Sequence, residues 1–155
     1  MGQVEVHTRI EASPDLVWEL IGDPTRMGEW SPECHNVEWT GGATGPGLKA
    51  RFKGHNKLGW RRGTTTGTIV RYEPLVEVAW NVEFGFFPVA EWSYRIDADP
   101  DRAGCTVVEA FVDRRGRVIH ALGPAARGVR DVDRHNRAGM EQTLVRIKAA
   151  AEAAR

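Results

Sequence analysis

Glu109 is the residue in this sequence whose surroundings best suit acid–base chemistry. It lies in the apolar run TVVEAF at residues 106–111, and both alternating sets of this predicted strand contain apolar residues, so its direction is ambiguous. If the carboxyl group points inward, desolvation raises its pKa and makes it a general acid or base for a carbonyl substrate. We favour the alternative, a solvated carboxylate opposite an arginine of the neighbouring strand, because carboxylates are rarely buried. Glu109 therefore stays a candidate, and no catalytic residue is assigned.

The sequence Glu33-Cys34-His35 places a thiol beside an imidazole. In an extended segment Cys34 and His35 point to opposite sides, so direct activation of the thiol is not expected. Cys34 is better interpreted as a small buried residue. Cys105 is the only other cysteine, and no CxxC spacing occurs, so neither a disulfide framework nor a zinc site is indicated. Both cysteines are typical of reduced thiols in the cytoplasm.

Metal and nucleotide sites are also not expected. The histidines show no HExxH or other paired spacing; they are His7, His35, His55, His120 and His135. His135 is turned by about 100° from the apolar stripe of its predicted helix, which favours a surface or rim position. The glycine-rich stretch at 41–47 lacks the Gly-Lys-Ser/Thr of a phosphate-binding loop and joins two predicted strands. The sequence therefore implies no metal and no cofactor.

The charges exclude several classes of partner. The 21 basic residues balance 21 acidic ones, so no global field draws the protein onto a nucleic acid or an anionic membrane. No stretch approaches the length needed to cross a bilayer, and the N-terminal residues alternate instead of forming an apolar leader. One basic concentration comprises Arg114, Arg115, Arg117, Arg127, Arg130, Arg134 and Arg137. Interleaved aspartates predict a solvated face with local ion pairs there. We expect a cytoplasmic protein without a nucleic-acid partner or an integral membrane segment.

The elements that must position these residues begin with a strand and two short helices. Val4, Val6, Thr8 and Ile10 alternate with polar residues, which predicts a strand with one solvated face. Ser13-Pro14-Asp15 then supplies a helix N-cap, a proline at the first helical position and an acid near the positive end of the helix dipole. Gly22 ends this helix, and Asp23-Pro24 begins a second, shorter helix that carries Met27.

From Val37 to about Val112 the pattern predicts an antiparallel meander. Turn residues interrupt it at 41–47, 57–59, 73–74, 85–88 and 99–101. Between these breaks, Val76, Val78, Trp80, Val82 and Phe84 share one face, as do Ala90, Trp92, Tyr94 and Ile96. Polar residues alternate with both sets, so one face of the sheet is apolar and the other is solvated.

A long C-terminal helix is predicted from about Gly116. Its apolar stripe comprises Leu122, Val129, Met140, Leu144 and Ile147, extended by Ala126 and Ala151, and Gly123-Pro124 kinks or restarts it. The order of elements, without a repeat or a linker, predicts a single α+β domain over residues 1–155.

The same pattern predicts an internal cavity. A sheet of about seven strongly twisted strands curls around one helix, and its concave face is often too wide for side chains to fill. The residues predicted to face inward combine apolar bulk with isolated amides, as ligand pockets do; they are Phe52, Trp80, Trp92, Tyr94 and Met140, with Asn56 and Asn136. The alternative is a filled core, in which the aromatic rings are ordinary packing residues and Asn56 holds a hairpin turn.

Two segments carry a family resemblance, DPTRMGEWSPEC at 23–34 and HNRAGMEQTL at 135–144. Together with the order of elements, they resemble the START-like helix-grip superfamily, also called SRPBCC, and within it the polyketide cyclase/dehydrase branch. This resemblance implies a curved antiparallel sheet wrapped around the C-terminal helix. It also implies a cavity entrance between that helix and the loops at 30–32, 57–60 and 85–88, so Trp30 and Trp60 join the predicted ligand-binding residues.

Three functions remain open at this point. The favoured one is the binding of a small hydrophobic ligand, because the inward face is aromatic and no convincing catalytic constellation accompanies it. The second is an aromatic cyclase or dehydratase acting on a polyketone, with Glu109, Asn56, Asn136 and Tyr94 as candidate groups. The third, suggested by the resemblance alone, is a toxin-like or regulatory domain that acts through a protein partner. Self-association into a homodimer is possible in each case.

Overall fold

Seven antiparallel strands form one sheet in the computed structural model, which describes residues 2–100, 103–116 and 131–155. The strands are β1 (Gln3–Ile10), β2 (Cys34–Thr40), β3 (Arg51–Leu58), β4 (Arg61–Glu73), β5 (Glu77–Phe84), β6 (Phe87–Ala98) and β7 (Cys105–Asp113). Their order across the sheet is β1-β7-β6-β5-β4-β3-β2. The helices are α1 (Pro14–Ile21), a 3-10 helix (Pro24–Arg26), α2 (Met27–Trp30) and α3 (Val132–Ala154). The predicted α+β helix-grip fold is confirmed.

The connection between β1 and β2 follows the capping chemistry of its sequence. The Ser13 hydroxyl accepts a hydrogen bond from the Leu16 backbone N–H at 3.3 Å, Pro14 is the first helical residue, and Gly22 caps the C-terminus of α1. The Asp23 carboxylate accepts from the Thr25 N–H at 2.8 Å at the start of the 3-10 helix. These local contacts form the two short helical segments that the sequence predicts after the first strand.

Tight turns join the strands of the meander. Gly59-Trp60 connects β3 to β4 and Gly85-Phe86 connects β5 to β6, and both glycines have a φ of 60°. A positive φ favours glycine because it has no Cβ to clash with the backbone. The breaks predicted at 57–59 and 85–88 are therefore confirmed as turns, although Lys57 and Leu58 still belong to β3, and Phe87 and Pro88 already belong to β6.

Helix α3 lies along β1 and runs in the same direction. The Arg137 guanidinium donates to the Glu5 carbonyl at 3.2 Å, and the Lys148 ammonium donates to the Arg9 carbonyl at 2.6 Å. The Asp131 carboxylate caps the helix by accepting from the Arg134 N–H at 3.0 Å. Met140, Leu144, Ile147 and Ala151 are buried, as the predicted stripe requires. Leu122, Gly123-Pro124, Ala126 and Val129, the earlier part of that stripe, lie outside the described residues.

The core is continuous from α1 through the concave face of the sheet to α3. Its largest fully buried side chains include Ile10, Ile21, Ile69, Val107 and Ile147. In the described part of the chain, no helix combines the length and apolar character that crossing a bilayer requires.

Candidate functional site

A cavity of about 520 Å³ lies between the concave face of the sheet, α3 and the segment that joins α2 to β2. Most of the residues predicted to contact a ligand border it, namely Phe52, Asn56, Trp80, Trp92, Tyr94, Asn136 and Met140. Much of the remaining wall is apolar, with Met27, Val37, Val82, Ala90 and Phe111 among its residues. The interior is therefore not a filled core, and the space falls within the range of about 300–1,000 Å³ that is typical of ligand pockets.

Trp30 and Trp60, also predicted to contact a ligand, lie away from this cavity. The Trp30 indole N–H donates to the Leu20 carbonyl at 3.0 Å, and the buried ring fixes α2 against α1. Trp60 is 85% exposed at the β3–β4 turn, where the Arg61 guanidinium lies 5.1 Å from the centre of its ring. Sequence alternation could not separate these tryptophans from those in the wall, because a turn and a short helix set their directions.

A row of aromatic rings crosses the concave face. Trp39 meets Phe52 edge to face with 6.0 Å between ring centroids, and Phe52 meets Trp80 at the same separation. Trp80 then stacks on Tyr94 at 5.8 Å with an interplanar angle of 27°. Such ring pairs are favourable beyond the area they bury. The row gives the cavity a rigid apolar wall that ends at the Tyr94 hydroxyl.

Gly67 on β4 makes this row possible. It pairs with Phe52 on β3, and a Cβ at this glycine would lie 2.2 Å from the Phe52 Cζ atom. The ring therefore occupies the space where the side chain of any other residue would begin. Phe52 thus lies across β4 and reaches Trp80 on β5.

Glu109 points into the interior, which corrects the solvated position favoured from the sequence. The residue is 2% exposed and borders the cavity. Its cross-strand neighbour is Tyr94, whose hydroxyl donates to Glu109 Oε1 at 2.7 Å. Glu109 shares the inward face of β7 with Val107 and Phe111, and a hydrogen-bond partner on β6 makes its burial tolerable. No described residue forms a hydrogen bond with its second oxygen, Oε2.

Burial controls the protonation of this pair. Desolvation raises the pKa of Glu109 to about 8, although the hydrogen bond from Tyr94 acts in the opposite direction. Burial and the adjacent carboxyl group raise the pKa of Tyr94 well above its ordinary value. Glu109 is therefore a neutral carboxylic acid at pH 7. The Tyr94 hydroxyl donates to Oε1, which leaves Oε2 as the unpartnered oxygen that can carry the acid proton.

The amides of the wall differ in their partners. Asn56 Nδ2 donates to the Thr65 hydroxyl at 3.2 Å, so this amide joins β3 to β4 as well as bordering the cavity. Asn136 on α3 is 7% exposed, and its Nδ2 has no hydrogen-bond partner among the described residues. A buried amide without a partner is costly, so Asn136 is the amide better placed to bind a guest molecule.

A contact at the rim joins α3 to the segment before β2. His135 Nε2 contacts Glu33 Oε1, and both residues border the cavity. The Ser31 hydroxyl accepts from the N–H groups of Glu33 and Cys34 at 3.2 and 3.1 Å, which holds this segment in place. His135 thus takes the rim position predicted for it.

Cys34 borders the cavity as a protonated thiol. Burial raises its pKa to about 11, and its Sγ lies 3.9 Å from the Asn36 carbonyl oxygen. A nucleophilic cysteine requires a lowered pKa, so this thiol is a wall residue.

Asp113 and Arg115 correct the prediction that the basic run is entirely solvated. Arg115 is 4% exposed and Asp113 is 1% exposed. The Arg115 guanidinium donates to both carboxylate oxygens, at 2.9 and 2.5 Å, and its backbone N–H donates to Asp113 Oδ1 at 2.9 Å. Sequence reasoning missed this pair because nothing in an arginine-rich run marks which guanidinium turns inward. Arg117, Arg127 and Arg130 lie outside the described residues.

The polar groups of the wall indicate organic ligand chemistry. Over residues 2–100, 103–116 and 131–155, no three His, Cys, Asp or Glu side chains come together as metal ligands. The described wall instead combines aromatic surface with the buried acid of Glu109 and the unpaired amide of Asn136. Such a site can bind an apolar molecule and orient an oxygen-bearing group on it.

Comparison with known proteins places this architecture in context. The family model for polyketide cyclase / dehydrase and lipid transport proteins matches residues 1–152. A polyketide-cyclase-like protein from Corynebacterium glutamicum is 25% identical with a TM-score of 0.61, and the alignment covers 94% of this chain and 88% of that one. A comparison with curated proteins gives no match.

Two further structures share the fold at lower identity. A protein from Thermus thermophilus is 16% identical with a TM-score of 0.71, and 99% of each chain is covered. The Aha1 dimer from Colwellia psychrerythraea is 13% identical with a TM-score of 0.65, and the alignment covers 98% of this chain and 97% of that chain.

Proposed function

Because the chain belongs to the polyketide cyclase / dehydrase and lipid transport family, we propose that it binds a small hydrophobic molecule between its sheet and α3. A lipid, a polyketide or an aromatic metabolite has the required character. In this proposal residues 1–155 act as one ligand-binding domain. The observation that carries the proposal is the cavity of about 520 Å³ with a largely apolar wall. Burial in it stabilises a ligand by roughly 25 cal/mol per Å² of apolar surface before the costs of association are subtracted.

A pair of substitutions on one helix tests this proposal. Thr143 is buried on the cavity side of α3, and its hydroxyl only donates back to the Gly139 carbonyl at 2.9 Å. Thr143→Phe adds a ring to the cavity without removing a tertiary hydrogen bond. Val145→Phe adds the same ring to the exposed face of α3 and is the matched control. We expect Nile red to bind Thr143→Phe at least about tenfold more weakly than the wild type or Val145→Phe.

Equal binding of Nile red by all three proteins would place the dye elsewhere and refute the proposal. Native mass spectrometry of protein purified from its own host adds an independent measurement. It should detect a co-purifying apolar molecule whose occupancy is lower in Thr143→Phe than in Val145→Phe.

Glu109 and Tyr94 favour a second candidate, a cyclase or dehydratase acting on a polyketone in the same cavity. In the dehydration of a β-hydroxy ketone, the Glu109 acid would protonate the leaving hydroxyl group as the C–O bond breaks and water departs. The resulting carboxylate would take the α-proton as the C=C bond forms, which restores the acid. Retained turnover of a matched polyketone by Glu109→Gln would exclude this role, because an amide cannot exchange the proton.

A further inference from the structure

The buried polar atoms that lack hydrogen-bond partners indicate which polar groups a ligand of this cavity should carry. Among the described residues that border the cavity, these atoms are Glu109 Oε2, Asn136 Nδ2 and Arg115 Nη1. With Glu109 in its acid form, all three carry a hydrogen to donate. Other polar side chains of the wall, such as Asn56, Tyr94 and Thr143, already donate to acceptors within the protein. In the described part of the wall, the buried polar atoms left without a partner are therefore all hydrogen-bond donors.

Glu109 and Asn136 border the same cavity, one from β7 and the other from α3. Arg137, the next residue after Asn136, donates to the Glu5 carbonyl on β1. Glu5 pairs with Ala110, and the following residue of β1, Val6, pairs with Glu109. Helix α3 therefore carries Asn136 past β1 near the level at which β7 carries Glu109. Arg115 lies beyond the end of β7, six residues from Glu109, and is already committed to Asp113.

We infer that Glu109 and Asn136 together donate hydrogen bonds to a carbonyl oxygen, so that the cavity selects a neutral apolar ketone or ester over a hydrocarbon of the same shape. This inference rests on the proposed function and names the chemical class of its ligand. A carbonyl oxygen has two lone pairs and can accept from both walls at once. A ligand hydroxyl donor is less suited, because the Tyr94 hydroxyl already occupies Glu109 Oε1.

The charges of the described residues around the cavity disfavour an anionic ligand. Arg115 is paired with Asp113, and His135 contacts Glu33, so neither supplies an uncompensated positive charge. A carboxylate bound between Glu109 and Asn136 would lose its hydration and meet only neutral donors there. The same loss of hydration is small for a ketone or an ester.

Fluorenone and fluorene provide the matched probes, because they share a ring skeleton and differ by a C=O in place of a CH₂. Equilibrium dialysis measures the affinity of each probe for the full chain and its variants. We expect Glu109→Leu and Asn136→Leu each to weaken fluorenone binding by about fivefold to tenfold, the effect of one hydrogen bond. Both variants should bind fluorene with unchanged or higher affinity, which also shows that the cavity is intact.

Glu109→Gln is the rescue variant. Glutamine retains an acceptor for the Tyr94 hydroxyl and an N–H in place of the acid O–H, so fluorenone binding should persist. Wild-type affinity for fluorenone should fall above about pH 8, where Glu109 ionises, whereas Glu109→Gln should be unaffected up to pH 9. The thiol of Cys34 and the phenol of Tyr94, which border the same cavity, have raised pKa values and remain protonated over this range. His135, Glu33, Asp113 and Arg115 are common to both proteins, and their effects cancel in the comparison.

The infrared spectrum of bound fluorenone reports the hydrogen bonds directly. Its C=O stretch should lie at lower wavenumber in the wild type than in Glu109→Leu/Asn136→Leu. If the substitutions change fluorenone and fluorene binding equally and leave the stretch in place, the inference is wrong but the apolar cavity stands. If the wild type binds neither probe, the proposed function fails and the inference fails with it.

Discussion

Two buried carboxyl groups on one strand of this protein have different hydrogen-bonding partners. Glu109 and Asp113 both face the interior from β7 and are separated by Phe111 and its two neighbours. Asp113 forms a two-point ion pair with the Arg115 guanidinium, whereas Glu109 accepts a single hydrogen bond from the neutral Tyr94 hydroxyl. Their burial is nearly equal, so burial alone does not decide their charge. The partner decides it, because a buried carboxylate persists only beside a matching cation.

Under the proposed function, this difference separates a structural part of the site from a part that can bind a ligand. The Asp113–Arg115 pair satisfies both carboxylate oxygens and stabilises the end of β7, where the Asp113 N–H also donates to the Gly2 carbonyl at 2.9 Å. The Glu109–Tyr94 pair leaves one acid proton unused beside the cavity. A binding site retains polar groups that the protein itself does not satisfy, and stability is lower for that reason.

The largest expected effect concerns stability and pH at Glu109. The folded protein retains a proton that the unfolded chain releases above the ordinary glutamate value of 4.5, since the pKa in the folded state is about 8. The unfolded chain binds fewer protons between these values, so the free energy of unfolding falls as pH rises, by about 1.4 kcal/mol per pH unit. Relative to Glu109→Gln, the wild type should lose roughly 4 kcal/mol between pH 5 and pH 8.

Urea denaturation at intervals of one pH unit measures this loss. Glu73→Gln, which changes an exposed glutamate of β4, should follow the wild-type curve. If the free energies of unfolding of the wild type and Glu109→Gln differ by a constant amount across this range, Glu109 is ionised in the folded state. The proposed contrast between Glu109 and Asp113 would then be wrong.

The next largest effect is expected at the ion pair. Arg115→Met removes the guanidinium and leaves the Asp113 charge buried without it, which should destabilise the fold by about 3 kcal/mol at pH 7. The control is Arg114→Met, whose guanidinium pairs with Glu91 at 2.5 Å but is half exposed, with an expected cost of less than about 1 kcal/mol. Asp113→Asn/Arg115→Met should recover part of the lost stability. Equal urea midpoints for Arg115→Met and Arg114→Met would show that the pair is not effectively buried.

The smallest effect is expected from removing the Tyr94 hydroxyl, which donates the hydrogen bond to Glu109. Tyr94→Phe removes one buried hydrogen bond, so it should cost about 1 kcal/mol near pH 6. It also removes the interaction that lowers the pKa of Glu109, so this pKa should rise further. As pH rises, Tyr94→Phe should lose stability relative to Tyr94→Phe/Glu109→Gln. This loss should continue to a higher pH than the corresponding loss of the wild type relative to Glu109→Gln. Tyr72→Phe, at a tyrosine that packs on Trp18, should leave the pH dependence unchanged; a Glu109 pKa unaffected by Tyr94→Phe would contradict the role assigned to the hydroxyl.

Much of the candidate site followed from alternation along single strands. Phe52, Trp80, Trp92 and Tyr94 lie on the side of their strands that the period of two predicts, and all border the cavity. Alternation did not decide the direction of Glu109, because both alternating sets of β7 contain apolar residues, although only the set that includes Glu109 is buried throughout. It also gave no indication that Phe52 lies over Gly67, since that contact depends on the register between β3 and β4.

By itself, the sequence determined the family, the order of elements and the apolar character of the inner face, because these depend on local propensity, capping and periodicity. Only the tertiary structure decided which polar groups enter the interior and which partners they find there. Tyr94 contacts Glu109 between the neighbouring strands β6 and β7, and Arg115 folds back onto Asp113. No pattern in the sequence predicts either contact. The protonation of a buried acid depends on neighbours brought together by folding, so the chemistry of this cavity emerges only with its three-dimensional packing.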